Sequence, residues 1–522
     1  MRIGAAQINT RLGDLAGNSQ RILSAVEGLV TAGAELIVFP ELVVTGYPPR
    51  DLLCDDDFVR AAIAANADLA RRLAEAPPVI LGSVDPAPRA TPQHPGLHNA
   101  ALVLQGGRVS HVQPKRLLPS HDVFHEHRWF VSGTNNGVVK LAGRRVGLLV
   151  CEDLWDEGYP VHPASEFKAD GAELLICLSA SPYRTKVIGR RHELARRPGL
   201  PLVYVNAVGA NDELIFDGGS FCVDARGRIT ASLPRFEEAV RLVDPFGEPA
   251  YVDAVEEPEE LFEALVLGVR DFAKKNGLRR AFLGLSGGID SALVACIARE
   301  ALGPEWVTAI AIPSRYSDPQ STESARELSS QLGIAFEIVP LEPLFTAAEQ
   351  SLGPLIAGGG VTAENIQARL RMVILMSYVN RHGGMLLNTS NKTELALGYG
   401  TLYADMAGSL SPIGDLTKPQ VYEVSRWYDS GRGVIPPFVL ERPPSAELRP
   451  EQIDPFDYPR ISPIVEAIVQ GLPIPAHASR EEVERCQQLI RISEHKRWQS
   501  GIVLKVSEKS FGTGRMMPVT KA

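Results

Sequence analysis

Cysteine is scarce and scattered in this 522-residue chain: Cys54, Cys151, Cys177, Cys222, Cys296 and Cys486 form no CxxC pair and no regular spacing. That excludes a disulfide framework and a cysteine-ligated zinc site, and it fits a reducing compartment. Cys177, Cys222 and Cys296 lie in apolar runs and read as core residues. An excess of positive charge is missing too. The formal net charge is −9, which disfavours a general nucleic-acid binder, whose affinity rests on neutralising phosphates. A nucleotide held in a small pocket stays compatible. No apolar run approaches the roughly 18 residues of a spanning helix, so no membrane partner is expected. The opening MRIGAAQINT reads as a strand rather than a signal peptide. A cytoplasmic location is the expectation. No internal repeat and no low-complexity tract stands out.

What is present is ordinary globular composition, 45% hydrophobic and 22% charged, in a chain too long for one core. Strand and helix signals alternate along the first half. Apolar strands are expected at 3–9, 35–39, 78–84, 174–178 and 202–206, and helices at 19–31 and 58–73. Hairpins are expected at 99–115, turning at Gly106-Gly107, and at 137–151, turning at Ala142-Gly143. A further turn is expected at Gly227 within 221–232. An acidic, Pro-bearing stretch follows, and a second alternation begins: helix 261–275, strand 281–285, helix 290–301, strand 307–312, helix 322–332, strand 336–339, helix 363–379 and strand 385–388. The tail from Glu441 is Pro-rich, then helical over 481–496. The reading is α/β throughout, with domains at 1–245 and 261–522 and a linker at 246–260. Strands separated by helical stretches imply a doubly wound parallel sheet in the second domain.

Phe282-Leu283-Gly284-Leu285 runs into Ser286-Gly287-Gly288-Ile289-Asp290-Ser291, where a helix opens. Two glycines let the backbone turn sharply and approach an anion. The helix start adds unpaired N–H groups and a positive dipole end. Ser286 and Ser291 add hydroxyls. Asp290 would repel phosphates unless a Mg²⁺ bridges them. A glycine-rich strand-to-helix turn with a first-turn acid is the plainer alternative. The loop is neither a Walker A nor a GxGxxG. It resembles the signature of the ATP-pyrophosphatase superfamily, which implies ATP as co-substrate, adenylation of a substrate oxygen and release of pyrophosphate. That resemblance alone leaves asparagine, GMP and NAD+ synthetases and tRNA-modifying enzymes open.

Later stretches narrow it. These are Glu364-Asn365-Ile366-Gln367-Ala368-Arg369-Leu370-Arg371, Asn388-Thr389-Ser390-Asn391-Lys392-Thr393-Glu394, Thr401-Leu402-Tyr403-Ala404-Asp405, Asp415-Leu416-Thr417-Lys418, Pro444-Ser445-Ala446-Glu447-Leu448 and His495-Lys496-Arg497. Singly they read as an amphipathic face, an N-cap with a first-turn acid, and solvated charges. In order and wording they resemble the NAD+ synthetase family over about residues 261–518. The resemblance implies ATP contacts from Ser286, Gly287, Gly288, Asp290, Ser291, Thr389, Lys418 and Ser445. It implies Mg²⁺ at Asp290 and Glu394, and deamido-NAD+ at Asn365, Arg371, Asp405, His495 and Lys496. Two stretches depart from the family: Ala404 replaces a usual Gly, and only Asp454 and Asp457 remain of an acidic run.

The first half carries a second constellation. Glu41 follows the strand ending Phe39-Pro40, Lys115 follows a hairpin, and Cys151 ends the strand 146–150. A strand-end cysteine needs a base or nearby cation to become a thiolate. Glu41 could take and return its proton, and Lys115 could stabilise an oxyanion. These contexts resemble the nitrilase superfamily over about residues 1–233, which implies an α-β-β-α sandwich with Glu41, Lys115 and Cys151 as a glutaminase triad. Ser181 and Lys186 are then expected to hold the glutamine α-groups, and Glu126 to pair with Lys115. His121 stands where the family has a glutamine-contacting Tyr. The combined expectation is amidation of deamido-NAD+ by glutamine-derived ammonia at the expense of ATP, in a homo-oligomer. The alternatives are a synthetase driven by free ammonia, and an amide hydrolase with a nucleotide-binding domain.

Overall fold

The computed structural model describes residues 1–88, 91, 93–135, 137–251 and 255–520. Residues 252–254, inside the expected linker, lie outside the described residues. The chain divides into two compact units, Met1–Ala254 and Val255–Ala522. No helix among the described residues is long and apolar enough to cross a membrane. All six cysteines are free, and Cys177, Cys222 and Cys296 are buried as expected.

The first unit is built on two six-stranded sheets. One runs in the order Ala239–Val243, Ile3–Gln7, Leu36–Val38, Val79–Pro86, Leu97–Gln105, Arg108–Pro114. The other runs Ile229–Ser232, Phe221–Val223, Leu202–Asn206, Leu174–Ser179, Arg144–Val150, Val139–Leu141. Side chains alternate across a strand, and here both faces are covered. Ile3, Ala5, Leu36 and Val38 meet Leu148, Val150, Ile176 and Val205 between the sheets. Ala6 and Ile37 face outward into a core shared with Ile22, Val26, Leu29 and Leu69 of the helices Leu15–Thr31 and Asp56–Arg72. Leu149, Cys177 and Tyr204 do the same with Phe167 and Leu194 of Pro163–Ala169 and Val187–Arg196. The expected α-β-β-α sandwich is the observed one. Each long helix starts on an aspartate: Asp14 Oδ1 accepts from Gly17 N at 2.9 Å, and Asp55 Oδ1 from Asp57 N at 2.9 Å.

The strand Ala239–Val243 falls within the acidic stretch after residue 236. It pairs antiparallel with Ile3–Gln7 at a sheet edge. Its central residues Val240, Arg241 and Leu242 are exposed, so it carries little core signal.

The second unit holds a four-stranded parallel sheet, ordered Ala335–Ile338, Val307–Ala311, Ala281–Gly284, Met385–Leu386. The chain steps outward from the Ala281–Gly284 strand and then returns to its other side. That reversal makes a switch point at the strand's carboxyl end, where ligands of such sheets bind. The helix Ile289–Leu302 opens there and is apolar almost all round, with Ala292, Leu293, Val294, Ala295, Cys296 and Ile297 fully buried. A separate core joins Leu395 and Leu397 to Ile464, Val465, Cys486 and Ile490.

Among the described residues, helices not expected from the sequence include Pro163–Ala169 and Val187–Arg196 in the first unit and Glu342–Leu352, Lys418–Asp429, Pro437–Glu441 and Tyr458–Gln470 in the second. The last contains Pro463 and lies in the Pro-rich tail. The helix expected over 481–496 is broken at Ser493 into Arg480–Ile492 and Glu494–Arg497.

Candidate active sites

In the first unit Glu41, Lys115 and Cys151 converge in the interior. Lys115 Nζ donates to Glu41 Oε1 at 2.8 Å and to Glu126 Oε1 at 2.8 Å. Glu41 is fixed at both oxygens: Asn99 Nδ2 donates to Oε1 at 2.7 Å, and Ala180 N to Oε2 at 2.9 Å. Tyr47 OH donates to Glu126 Oε1 at 3.0 Å. Burial would lower the Lys115 pKa, but Glu126 and Glu41 overcome it and hold the ammonium well above its usual range. Burial pushes Glu126 up to about 7, with Lys115 pulling against it.

Local backbone geometry places these groups. Gly82 lets the Val79–Pro86 strand lie against Glu41, since a Cβ there would sit 2.3 Å from Leu42 N and 2.5 Å from Glu41 Cα. Cys151 has φ +46°, a strained left-handed turn directly after its strand. Asp153 ties this turn to the lysine segment. Its carboxylate accepts from Val150 N at 3.0 Å, Arg116 N at 2.9 Å and Leu117 N at 3.0 Å. Burial raises the Cys151 thiol pKa well above normal and Glu41 adds to this, while Lys115 and a hydrogen bond from Ser179 oppose it.

The three expected glutamine residues are placed differently. Ser181 is buried, its N–H bonded to Asn206 Oδ1 at 2.9 Å and its hydroxyl accepting from Arg191 Nε at 3.2 Å. His121 is exposed, edge-on to Phe124 with ring centroids 5.6 Å apart. Lys186 is exposed at the N-cap of the Val187–Arg196 helix.

In the second unit a cavity of about 530 Å³ opens at the switch point. Ser286, Gly288, Asp290, Ser291, Thr389, Lys418 and Ser445 line it, together with Glu394, Asn365, Arg371, Asp405 and Lys496. Gly287 supports it from behind: φ is +77°, and a Cβ would meet Ser321 O at 2.4 Å. His495 is not among the lining residues; it is exposed, with Nδ1 3.0 Å from Ile492 O.

Charge concentrates around Lys418. Its ammonium binds Asp290 Oδ2 closely and donates to Glu394 Oε1 at 3.3 Å. Asn391 caps the Lys392–Leu397 helix in a reciprocal box with Glu394 and donates to Asp290 Oδ1 at 2.9 Å. Burial pushes Glu394 up to about 8, Asp290 and Asp454 adding and Lys418 opposing. Asp454 is held by Tyr399 OH at 3.0 Å and Tyr458 OH at 2.9 Å. Burial lowers Arg371 to about 10, with Glu447 and Asp405 partly restoring it. Asp405 Oδ1 accepts from Thr401 N at 2.8 Å, and Asn365 Oδ1 from Thr401 Oγ1 at 2.7 Å.

Sequence reasoning missed the residues that hold the candidate site residues: Tyr47, Asn99, Asp153 and Ser179 in the first unit, and Asn391 and Tyr458 in the second. Asn391 alone had a usable signal, as the N-cap of Asn-x-x-Glu.

The fold and sites define a chain that carries both a carbon–nitrogen hydrolase and an ATP-dependent synthase. The carbon-nitrogen hydrolase family model matches residues 2–244, and the NAD synthase family model matches residues 261–500. The glutamine-dependent NAD(+) synthetase of Synechocystis sp. is 39% identical over 551 residues, covering 100% of this chain and 98% of the relative. That of Thermotoga maritima is 37% identical over 578 residues, covering 100% and 98%. The solved structure of the Acinetobacter baumannii glutamine-dependent NAD+ synthetase, in complex with ADP, matches with a TM-score of 0.79 at 31% identity, covering 99% and 98% of the two chains. The chain belongs to the glutamine-dependent NAD(+) synthetase family.

Proposed function

We propose that the chain amidates deamido-NAD+ to NAD+ with ammonia taken from glutamine, consuming ATP and yielding AMP, pyrophosphate and glutamate. The observation that carries this reading is the presence, in one chain, of the closed Glu41–Lys115–Cys151 constellation and the Asp290–Lys418–Glu394 cluster at the phosphate-loop cavity. A hydrolase alone has no use for the second cluster, and a synthetase fed by free ammonia has none for the first.

Glu41 takes the Cys151 thiol proton as sulfur attacks the glutamine side-chain amide. Lys115 stabilises the tetrahedral oxyanion. The proton passes to the departing nitrogen, ammonia leaves, and a thioester remains. Water, activated by Glu41, releases glutamate and restores the thiol. Ser181, His121 and Lys186 contribute to glutamine binding, Ser181 from the interior and the other two from the surface.

In the second unit the carboxylate of deamido-NAD+ attacks the α-phosphorus of ATP and pyrophosphate leaves. Ammonia then attacks the adenylated carbonyl and AMP departs. Gly287, Gly288, Ser286, Ser291, Thr389 and Ser445 cradle ATP, and Lys418 meets its phosphate charge. Asn365, Arg371, Asp405 and Lys496 take deamido-NAD+. Asp290 and Glu394 fit a Mg²⁺, because both are hard oxygen donors facing the phosphate loop and Mg²⁺ binds through one or two carboxylates plus phosphates. They would hold the ion, which supplies charge neutralisation to the phosphates.

The exposed apolar side chains Val373 and Met376, one turn apart on the Gly360–His382 helix, support a homo-oligomer. Six free thiols support a cytoplasmic location. The test is NAD+ formation from deamido-NAD+ and ATP, with glutamine and with ammonium. Equal failure of both nitrogen sources, with no pyrophosphate released, would remove the reading.

A further inference from the structure

Ser179 and Tyr204 have no role in the chemistry above, yet they stand directly behind the nucleophile. Ser179 Oγ donates to Cys151 Sγ at 3.3 Å. The same oxygen lies 2.7 Å from Tyr204 OH. Both side chains are completely enclosed, at 0% exposure. They sit on neighbouring parallel strands, Leu174–Ser179 and Leu202–Asn206. The Tyr204 ring is stacked on Phe221, with centroids 5.1 Å apart and planes 19° from parallel.

Proton counting gives this chain a direction. Each hydroxyl has one hydrogen to donate. With the Ser179 hydrogen on sulfur, the short contact to Tyr204 is made by the tyrosine hydrogen. Burial raises the Tyr204 phenol far above its ordinary range, so that hydrogen is retained. Donated hydrogen bonds strengthen when the acceptor becomes charged, and chained bonds polarise one another. The arrangement therefore favours the thiolate over the thiol.

We infer that Tyr204 and Ser179 form a buried two-hydroxyl relay that positions Cys151 and stabilises its thiolate. The inference rests on the reading of Cys151 as the glutaminase nucleophile. Glu41 opposes the thiolate, Lys115 and Arg191 favour it, and Tyr47 and Cys177 also act on it. The hydroxyl relay is neutral and works in the same direction as the cations. Ser179 and Tyr204 are positioning residues rather than catalytic ones.

The test is alkylation of Cys151 by iodoacetamide in the full-length chain, followed peptide by peptide by mass spectrometry across a pH series. In Ser179→Ala the profile moves to higher pH by about one unit, about tenfold slower labelling at a fixed pH below the midpoint. Tyr204→Phe moves it the same way by less, because Ser179 keeps its bond to sulfur. A purely structural role would leave the pH dependence in place while changing the amount of folded protein. Circular dichroism and melting separate those cases, and Tyr204→Phe decides if Ser179→Ala does not fold. Folded variants whose profiles superimpose on the parent overturn the inference. Glutamine turnover that survives Cys151→Ala overturns the underlying nucleophile reading, and the inference with it.

Discussion

Lys115 Nζ lies 2.8 Å from Glu126 Oε1, at the centre of a buried cluster in which the same ammonium also meets Glu41 Oε1 at 2.8 Å. One cation thus serves two carboxylates. Among the described residues Glu126 Oε2 is buried without a hydrogen-bond partner, so the second glutamate carries most of the cost of enclosing this charge.

The consequence is a pH-dependent stability with a definite sign. Burial raises Glu126 from about 4.5 to about 7. Its contribution to stability is full below about 4.5 and is lost as pH rises through about 7. Glu126→Gln replaces it with a neutral isostere that does not titrate. The melting advantage of the parent over Glu126→Gln should therefore shrink between these two pH values. A constant or growing difference contradicts the assigned environment. Glutamine turnover in the variant should fall by at least about tenfold, as expected when one partner of a buried charge cluster is removed.

Glu394 and Asp290 form the corresponding acidic pair in the synthetase unit. Lys418 and Asn391 both contact the pair, and an added divalent cation should bind there and stabilise the chain. Mg²⁺ with ATP should raise the melting temperature of the parent, and Glu394→Gln should lose most of that shift together with pyrophosphate release. An unchanged Mg²⁺-dependent shift in the variant would place the ion elsewhere.

Gly287→Ala tests the phosphate loop through its backbone. The substitution forces a Cβ to 2.4 Å from Ser321 O at φ +77°, a strain of about 1–2 kcal/mol before the clash is counted. KM for ATP should rise strongly while glutamine hydrolysis by the first unit is retained. Normal ATP affinity would mean that the loop does not approach the nucleotide.

Much of this architecture was legible in the sequence, because periodicity survives wherever both faces of an element are covered. The Ile3–Gln7 and Arg144–Val150 strands and both hairpin turns fall where expected. The Ala239–Val243 edge strand did not announce itself, since its central residues face solvent. Nor did the Tyr458–Gln470 helix, whose Pro463 and Pro-rich approach suggest loop. Among the site residues, Glu41, Lys115 and Cys151 stand out through local context. Their supports do not: Asn99, Asp153 and Ser179 gain meaning only when distant strands meet. His495 shows the opposite limit, a residue marked by its neighbours in sequence yet exposed and outside the cavity lining.

If Cys151 supplies the nitrogen used at the Ser286 loop, one chain couples amide hydrolysis to amide synthesis. NAD+ formation by Cys151→Ala, measured with glutamine and then with ammonium as nitrogen source, addresses it most directly. Glutamine-supported synthesis should be lost and ammonium-supported synthesis retained. Glutamine-supported synthesis that persists in Cys151→Ala would contradict it.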